Sequence, residues 1–198
     1  ASRVRSCDGE YPLDTSHSKL AEWRHCHFRQ WARADAPEMI WASEPTTFMR
    51  NTIFKLKADS WKYRGTDSLK EGILGVIKSY TYGDEIDNYI KNTPDRVQVT
   101  AGSAALEGNV RKLLAKRVRF IIDDETIVRH ILKTMDVQDE IEAVHRASEV
   151  PLYFGFSPKN PEAVKFAELT SKTLLQMKTD GSLAKIFARY GATCADCR

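Results

Sequence analysis

The stretch that most constrains the fold of this chain runs from Asp67 to Asp124. Near its start, Ile73-Leu74-Gly75-Val76-Ile77 is a short, almost continuous apolar run that predicts a buried strand. A polar turn, Lys78-Ser79-Tyr80-Thr81-Tyr82-Gly83, leads into a predicted helix over Asp84 to Asn92. Its inward stripe is Ile86, Tyr89 and Ile90, and Pro94 lies just beyond its end. The stretch closes on Phe120-Ile121-Ile122, a second buried strand ending on Asp123 and Asp124. Strands that end on polar groups at the mouths of helices are where α/β proteins place ligands.

The rest of the chain extends this alternation. Phe48 to Leu56 contains the β-favouring Thr52, Ile53 and Phe54 and predicts a strand, as does Val97-Gln98-Val99. Ser103 is placed to cap a helix carrying Ala105, Leu106, Val110, Leu113 and Leu114 at the 3.6-residue period. Thr126 to Met135 predicts a helix, and Ile141 to Val144 and Leu152 to Phe156 predict two further strands. Two helices follow, one with Ala163, Ala167, Thr170, Leu174 and Met177 on one face, the other from Leu183 to Tyr190, with Gly181 between them. Strands alternating with helices imply a largely parallel sheet covered on both faces. Before all this, Leu20, Trp23, His27 and Trp31 recur at near-helical spacing behind Ser16 and Ser18, which predicts a short amphipathic helix.

Several function classes are set aside on composition. The formal net charge is only +3, from 30 basic and 27 acidic residues without clustering, so no nucleic-acid partner is expected. No apolar run approaches the ~20 residues that span a bilayer, so no membrane insertion is expected. Ala1 to Cys7 contains no apolar run of the signal-peptide type. The four cysteines, Cys7, Cys26, Cys194 and Cys197, allow two disulfides or four free thiols. Cys194 and Cys197 have C-x-x-C spacing but sit at the end of the chain rather than at a helix start, as a redox motif requires. His25, Cys26 and His27 are consecutive and cannot easily converge on one ion, so neither metal nor cofactor is expected. There is no G-x-S-x-G, P-loop or H-E-x-x-H. Asp123, Asp124 and Glu125 are adjacent and point in different directions, unlike a carboxylate pair facing across ~5–9 Å, so the chain is not expected to be an enzyme.

Five motifs resemble a known family. Ser60-Trp61-Lys62-Tyr63-Arg64-Gly65-Thr66-Asp67-Ser68-Leu69 resembles the entrance to the second lobe of type II periplasmic solute-binding proteins, family 3, which serve amino-acid ABC transporters. Gly75-Val76 with Thr81-Tyr82-Gly83, then Ile122 to Glu125, Tyr153 to Pro158, and Asp180 to Leu183 with Arg189-Tyr190-Gly191 follow in that family's order. The resemblance runs from about Asp35 to Gly191. It implies a periplasmic-binding-protein-like α/β fold with one intact lobe and an incomplete first lobe that carries the C-terminal helices. On that division, residues 1–34 are unmatched, 35–58 and 151–198 belong to the first lobe and its hinge strands, and 59–150 form the second lobe. The chain departs from the family pattern at Arg119, where an Asp is usual, and at Lys116, where a Gly is usual. The first-lobe arginine that pairs with a ligand carboxylate has no counterpart that can be assigned.

The family resemblance and the residues together define a candidate site. Ser79, Thr81 and Gly83 lead into a helix start, whose N–H groups and hydroxyls suit an anion or serve simply as caps. Asp124 resembles the family aspartate that accepts a ligand ammonium, and it could equally cap the helix that follows. Asp123 beside it should raise the pKa of one of the two. Ser103 offers a hydroxyl or a cap, and Tyr82 either an aromatic wall or a core ring. The expected function is non-enzymatic binding of a small polar or amino-acid-like ligand, with an ABC transporter permease as partner and a periplasmic or extracellular location. The alternative is an interaction protein without a ligand. In either case a shortened first lobe would leave apolar helix surface to be covered, which predicts a homodimer.

Overall fold

A computed structural model of the chain describes residues 28–31, 37–189, 194 and 197. In chain order the strands are β1 (Phe28–Trp31), β2 (Ile40–Trp41), β3 (Thr47–Leu56), β4 (Leu74–Ile77), β5 (Val97–Thr100), β6 (Phe120–Asp124) and β7 (Ile141–Phe156). The helices are α1 (Asp84–Asn92), α2 (Ala105–Leu114), α3 (Glu125–Thr134), α4 (Ala163–Thr179) and α5 (Ser182–Arg189). Short 3-10 turns cover Thr66–Glu71 and Pro94–Arg96.

The strands are hydrogen-bonded in the order β1-β7-β3-β6-β4-β5, with β2 also paired to β7. β4 runs parallel to β5 and β6, whereas β3 is antiparallel to β6 and β7, and β1 and β2 are antiparallel to β7. The expected largely parallel sheet is therefore corrected to a mixed one. Strand–helix alternation governs only β4, β5 and β6, whose crossovers carry α1 and α2; β3 and β7 are long antiparallel strands joined across that unit.

Helices cover both faces of the sheet where β3, β6 and β4 lie, which explains the apolar run of β6. Phe120 and Ile122 pack with Ile53, Trp61, Leu69, Leu74, Val76, Tyr82, Ile86 and Tyr89. Ile121 points the other way and joins Phe54, Val110, Leu113, Val118, Val128, Leu132 and Ile141. A strand buried on both faces needs no alternation of polarity. A smaller cluster of Phe156, Ala163 and Ala167, with Ile40, Phe154 and Phe166 packed against it, holds α4 to the far end of β7.

Three local expectations are corrected. The strands predicted at Ile141–Val144 and Leu152–Phe156 are one 16-residue strand, β7. Its middle is polar (His145, Arg146, Ser148, Glu149), and the pairing with β3 shifts register at Asn51/Thr52 and again at Ile53/Phe54. Each irregularity resets the alternation, so the sequence pattern looks broken where the hydrogen bonding continues. The helix predicted to include Trp31 does not extend there: Phe28–Trp31 pairs with Phe156–Tyr153 of β7. An available strand edge outweighs helical spacing over four residues; the remainder of that predicted helix, residues 20–27, lies outside the described residues. Finally, α2 starts after Ala104 with no side chain capping it, so the exposed Ser103 is not its cap.

Candidate functional site

The ends of β4 and β6 meet the irregular middle of the β3–β7 pair, and Asp124 stands at the junction. One carboxylate oxygen, Oδ1, accepts the N–H groups of Thr126 (2.9 Å) and Ile127 (3.1 Å), capping α3. The other, Oδ2, accepts the Arg50 N–H from β3 at 2.8 Å. The capping role open in the sequence is thus realised, and the same carboxylate ties three elements together. Three N–H bonds hold it in a single position.

Asp123 is 4% exposed. Its Oδ1 accepts the Asp124 N–H at 2.8 Å, while Oδ2 is buried without a hydrogen-bond partner. Burial pushes its pKa up to about 6; the Asp124 N–H opposes this and the Asp124 carboxylate adds to it. The repulsion expected between the two acids therefore acts, but desolvation is the larger cause. Among the described residues neither Asp123 nor Asp124 forms an ion pair.

The turn after β4 shows one face to solvent and buries the other. Ser79 and Thr81 are exposed, Ser79 with φ 65°. The Thr81 carbonyl accepts a long bond from Asn51 Nδ2 (3.4 Å), which also donates to Ser148 Oγ at 3.0 Å. Gly83 has φ 102° and precedes α1 without a side-chain cap. A Cβ there would stand 3.0 Å from that of Ser148, so both conformation and space require glycine. Tyr82, considered as an aromatic wall, is a core ring instead, 1% exposed. Its hydroxyl accepts the Ile77 N–H at 2.8 Å, and burial raises its pKa. β4 needs an acceptor for that N–H at the strand's end, and the tyrosine supplies it. The first turn of α1 already carries Asp84, Glu85 and Asp87, with Asp87 accepting the Tyr82 N–H (2.9 Å), so carboxylates occupy the positive end of its dipole.

Around this junction runs a ladder of charges that the sequence reading did not single out. Glu149 of β7 accepts Arg50 Nε (2.6 Å) and Arg146 Nη1 (3.1 Å). Arg146 Nη2 reaches Glu125 at 3.3 Å, and Glu125 also accepts from Arg129 one turn on. Burial would raise the pKa of Glu125, but Arg129 and Arg146 together hold it low. The signal was present as opposite charges at Arg50 and Glu149 on neighbouring strands, but it is readable only once their register is known. Among the described residues no His, Cys, Asp and Glu converge as a metal site. Cys194 and Cys197 form a disulfide, and Cys7 and Cys26 lie outside the described residues.

No protein-family model matches the chain, and no curated protein matches it. Solved structures do. The probable amino-acid ABC transporter extracellular-binding protein from Bacillus subtilis superposes with TM-score 0.63 at 12% identity, over 88% of this chain and 76% of that one. A histidine kinase sensor domain with similarity to periplasmic binding proteins gives 0.60 at 14%, over 85% and 69%. An ancestral arginine-binding protein bound to glutamine gives 0.57 at 19%, over 83% and 70%. At these identities the likeness speaks for architecture, and it agrees with the mixed sheet and the two covered faces: this chain has the type II periplasmic-binding-protein fold.

Proposed function

We propose that the chain is a non-enzymatic solute-binding domain whose residues 59–150 form the lobe that takes a small, ammonium-bearing, amino-acid-like ligand. The observation that carries this is the pair Asp123–Asp124: two buried carboxylates at the end of β6, neither matched by a cation among the described residues. Asp124 is held by backbone N–H groups, which orient it without cancelling its full charge, and an ammonium completes the arrangement. Thr81 and Gly83 adjoin the junction through Asn51 and Ser148, Ser79 and Ser103 offer exposed hydroxyls, and Tyr82 is a core ring. The acidic first turn of α1 favours the ammonium end of an amino acid here over its carboxylate. The amino-acid-binding proteins of the same fold support this reading, as they do an ABC transporter permease as partner and a location outside the cytoplasm.

Isothermal titration against lysine, arginine, glutamine and glutamate tests it. A ligand-dependent heat for at least one of the first three, weaker than about 1 µM, is expected. Asp124→Asn should abolish it while keeping the Oδ1 helix cap, since Asn caps nearly as well, at the loss of the bond from the Arg50 N–H. Undiminished binding by that variant, or no heat from any of the four, sinks the proposal.

A second reading, interaction through a homodimer, is favoured by one observation. α4 and α5 leave Val164, Leu169, Leu175 and Ile186 between 42% and 59% exposed. Light scattering that returns a monomer mass across all concentrations would dismiss it.

A further inference from the structure

At the opposite end of the sheet from Asp124 lies a cavity of about 480 Å³. The pairing of β3 with β6 places it there: Asn51 faces Asp124 at the junction just described, while Leu56 ends β3 five residues later at the start of β6. The floor is apolar, made by Leu56, Ala58, Ile73 and the buried Val118. Its two charged walls behave differently.

On one wall every charge is satisfied within the protein. Arg119 grips Asp59 with two bonds, Nε to Oδ2 at 2.7 Å and Nη2 to Oδ1 at 3.0 Å, and its Nη1 donates to the Glu71 carbonyl at 3.1 Å. Glu71 in turn pairs with Arg64. The guanidinium beside Asp59 holds that carboxyl down to about 2. Arg119 is thus a local clamp whose three bonds all stay within the protein.

On the other wall stand Lys116 and Arg117, both exposed and, among the described residues, neither in an ion pair. They are not on a loose loop. The N–H groups of Lys116 and Arg117 donate to Leu113 and Lys112 carbonyls at 2.9 and 2.8 Å, and Lys116 closes α2 in the left-handed region, φ 55°. Cations at a helix C-terminus also complement its dipole, but Arg111 and Lys112 in the last turn already do so. Two cations on a hydrogen-bonded turn thus line the cavity, beside a wall whose acids are already paired.

We propose that this cavity is a binding site separate from the Asp124 junction, taking an organic monoanion with an apolar body, of the medium-chain carboxylate type. The volume lies within the range of small-molecule sites, and the combination of apolar floor and a few convergent polar groups is what such sites share. The apolar body would rest on Leu56, Ile73 and Val118, and the carboxylate would meet Lys116 and Arg117.

The test is a titration of the full chain with hexanoate, followed by backbone amide shifts in NMR. Saturable shifts at Leu56, Gly72, Ile73 and Val118 near a Kd of about 1 mM are expected. Acetate, which lacks the apolar body, and hexylammonium, which reverses the charge, should bind at least about tenfold more weakly. Lys116→Glu with Arg117→Glu should weaken hexanoate by roughly tenfold, since two exposed ion pairs are removed. Ala58→Trp should block it by filling the exposed side of the cavity without a change of charge. Asp124→Asn should leave it unchanged, so that failure here and failure of the amino-acid site are told apart. Hexanoate that shifts no cavity amide, that binds the charge-reversed and filled variants as well as the parent, or that shows no preference over hexylammonium overturns the proposal.

Discussion

Asp123 shows how one buried oxygen can set the pH behaviour of a domain. In the folded state its carboxyl titrates near 6 rather than at its ordinary 3.8. Between those values the native protein keeps a proton that the unfolded chain releases, so stability falls as pH rises from about 4 to 6 and then levels off. The shift corresponds to roughly 3 kcal/mol. Asp123→Asn keeps an acceptor for the Asp124 N–H and removes the buried charge, so at pH 7 it should stabilise the protein by about 1–2 kcal/mol and flatten that slope. Urea melts at pH 4, 5.5 and 7 would show it; equal slopes in both proteins would disprove it. Asp59 works in the opposite sense. Arg119 lowers its pKa, so its contribution is present above 3.8 and lost as pH falls toward 2. The pair is partly exposed, and Arg119→Met should cost only about 1 kcal/mol at neutral pH. Melts that show a loss of several kcal/mol would mean the clamp also supports the cavity wall. At this scale the sequence was half legible. Adjacent acids at 123 and 124 announce a coupled pair, but that Asp124 rather than Asp123 gathers the N–H groups is not legible, since one of the three comes from Arg50, 74 residues away.

Among the elements, those of the α/β unit were read closely: α1 spans its predicted residues, and β4, β5, β6, α2 and α3 fall within a few residues of theirs. Their apolar spacing is set locally, by strands buried on both faces and by helices with one inward stripe. β7 was read as two pieces because its irregular pairing breaks the alternation, and β1 was missed because its pairing is supplied by a strand far away in sequence. Two glycines separate conformation from space. At Gly83 the positive φ alone makes alanine costly, by about 1 kcal/mol or more, and the nearby Ser148 adds crowding. At Gly155 the crowding acts alone: an added Cβ would lie 2.6 Å from the Trp41 ring. Gly155→Ala should therefore detach β2 from β7 and cost about 1–3 kcal/mol, and Trp41→Leu in the same chain should recover part of that loss. Thermal melts of the two single variants and the pair would decide; strictly additive losses would show that the ring and the glycine are not coupled.

For the molecule as a whole, the pairing pattern predicts an order of opening. β3 is paired with β7 over ten positions and with β6 at Asn51–Phe54 on its other edge, whereas β5 lies at the end of the sheet. Hydrogen exchange should leave the amides of β3 between Asn51 and Phe54 the slowest among the described residues and release β5 first. Faster exchange in β3 than in β5 would contradict the topology. The sequence suggests a boundary between residues 150 and 151, and that position falls inside β7, between residues that stand opposite Met49 and Phe48. The halves therefore cannot be dissected there. A fragment ending at Val150 would strip β3 of its partner near Thr47 and expose a bare strand edge to other chains. Anyone cutting this protein after Val150 should expect the longer piece to aggregate, because the cut falls across a strand rather than through a linker.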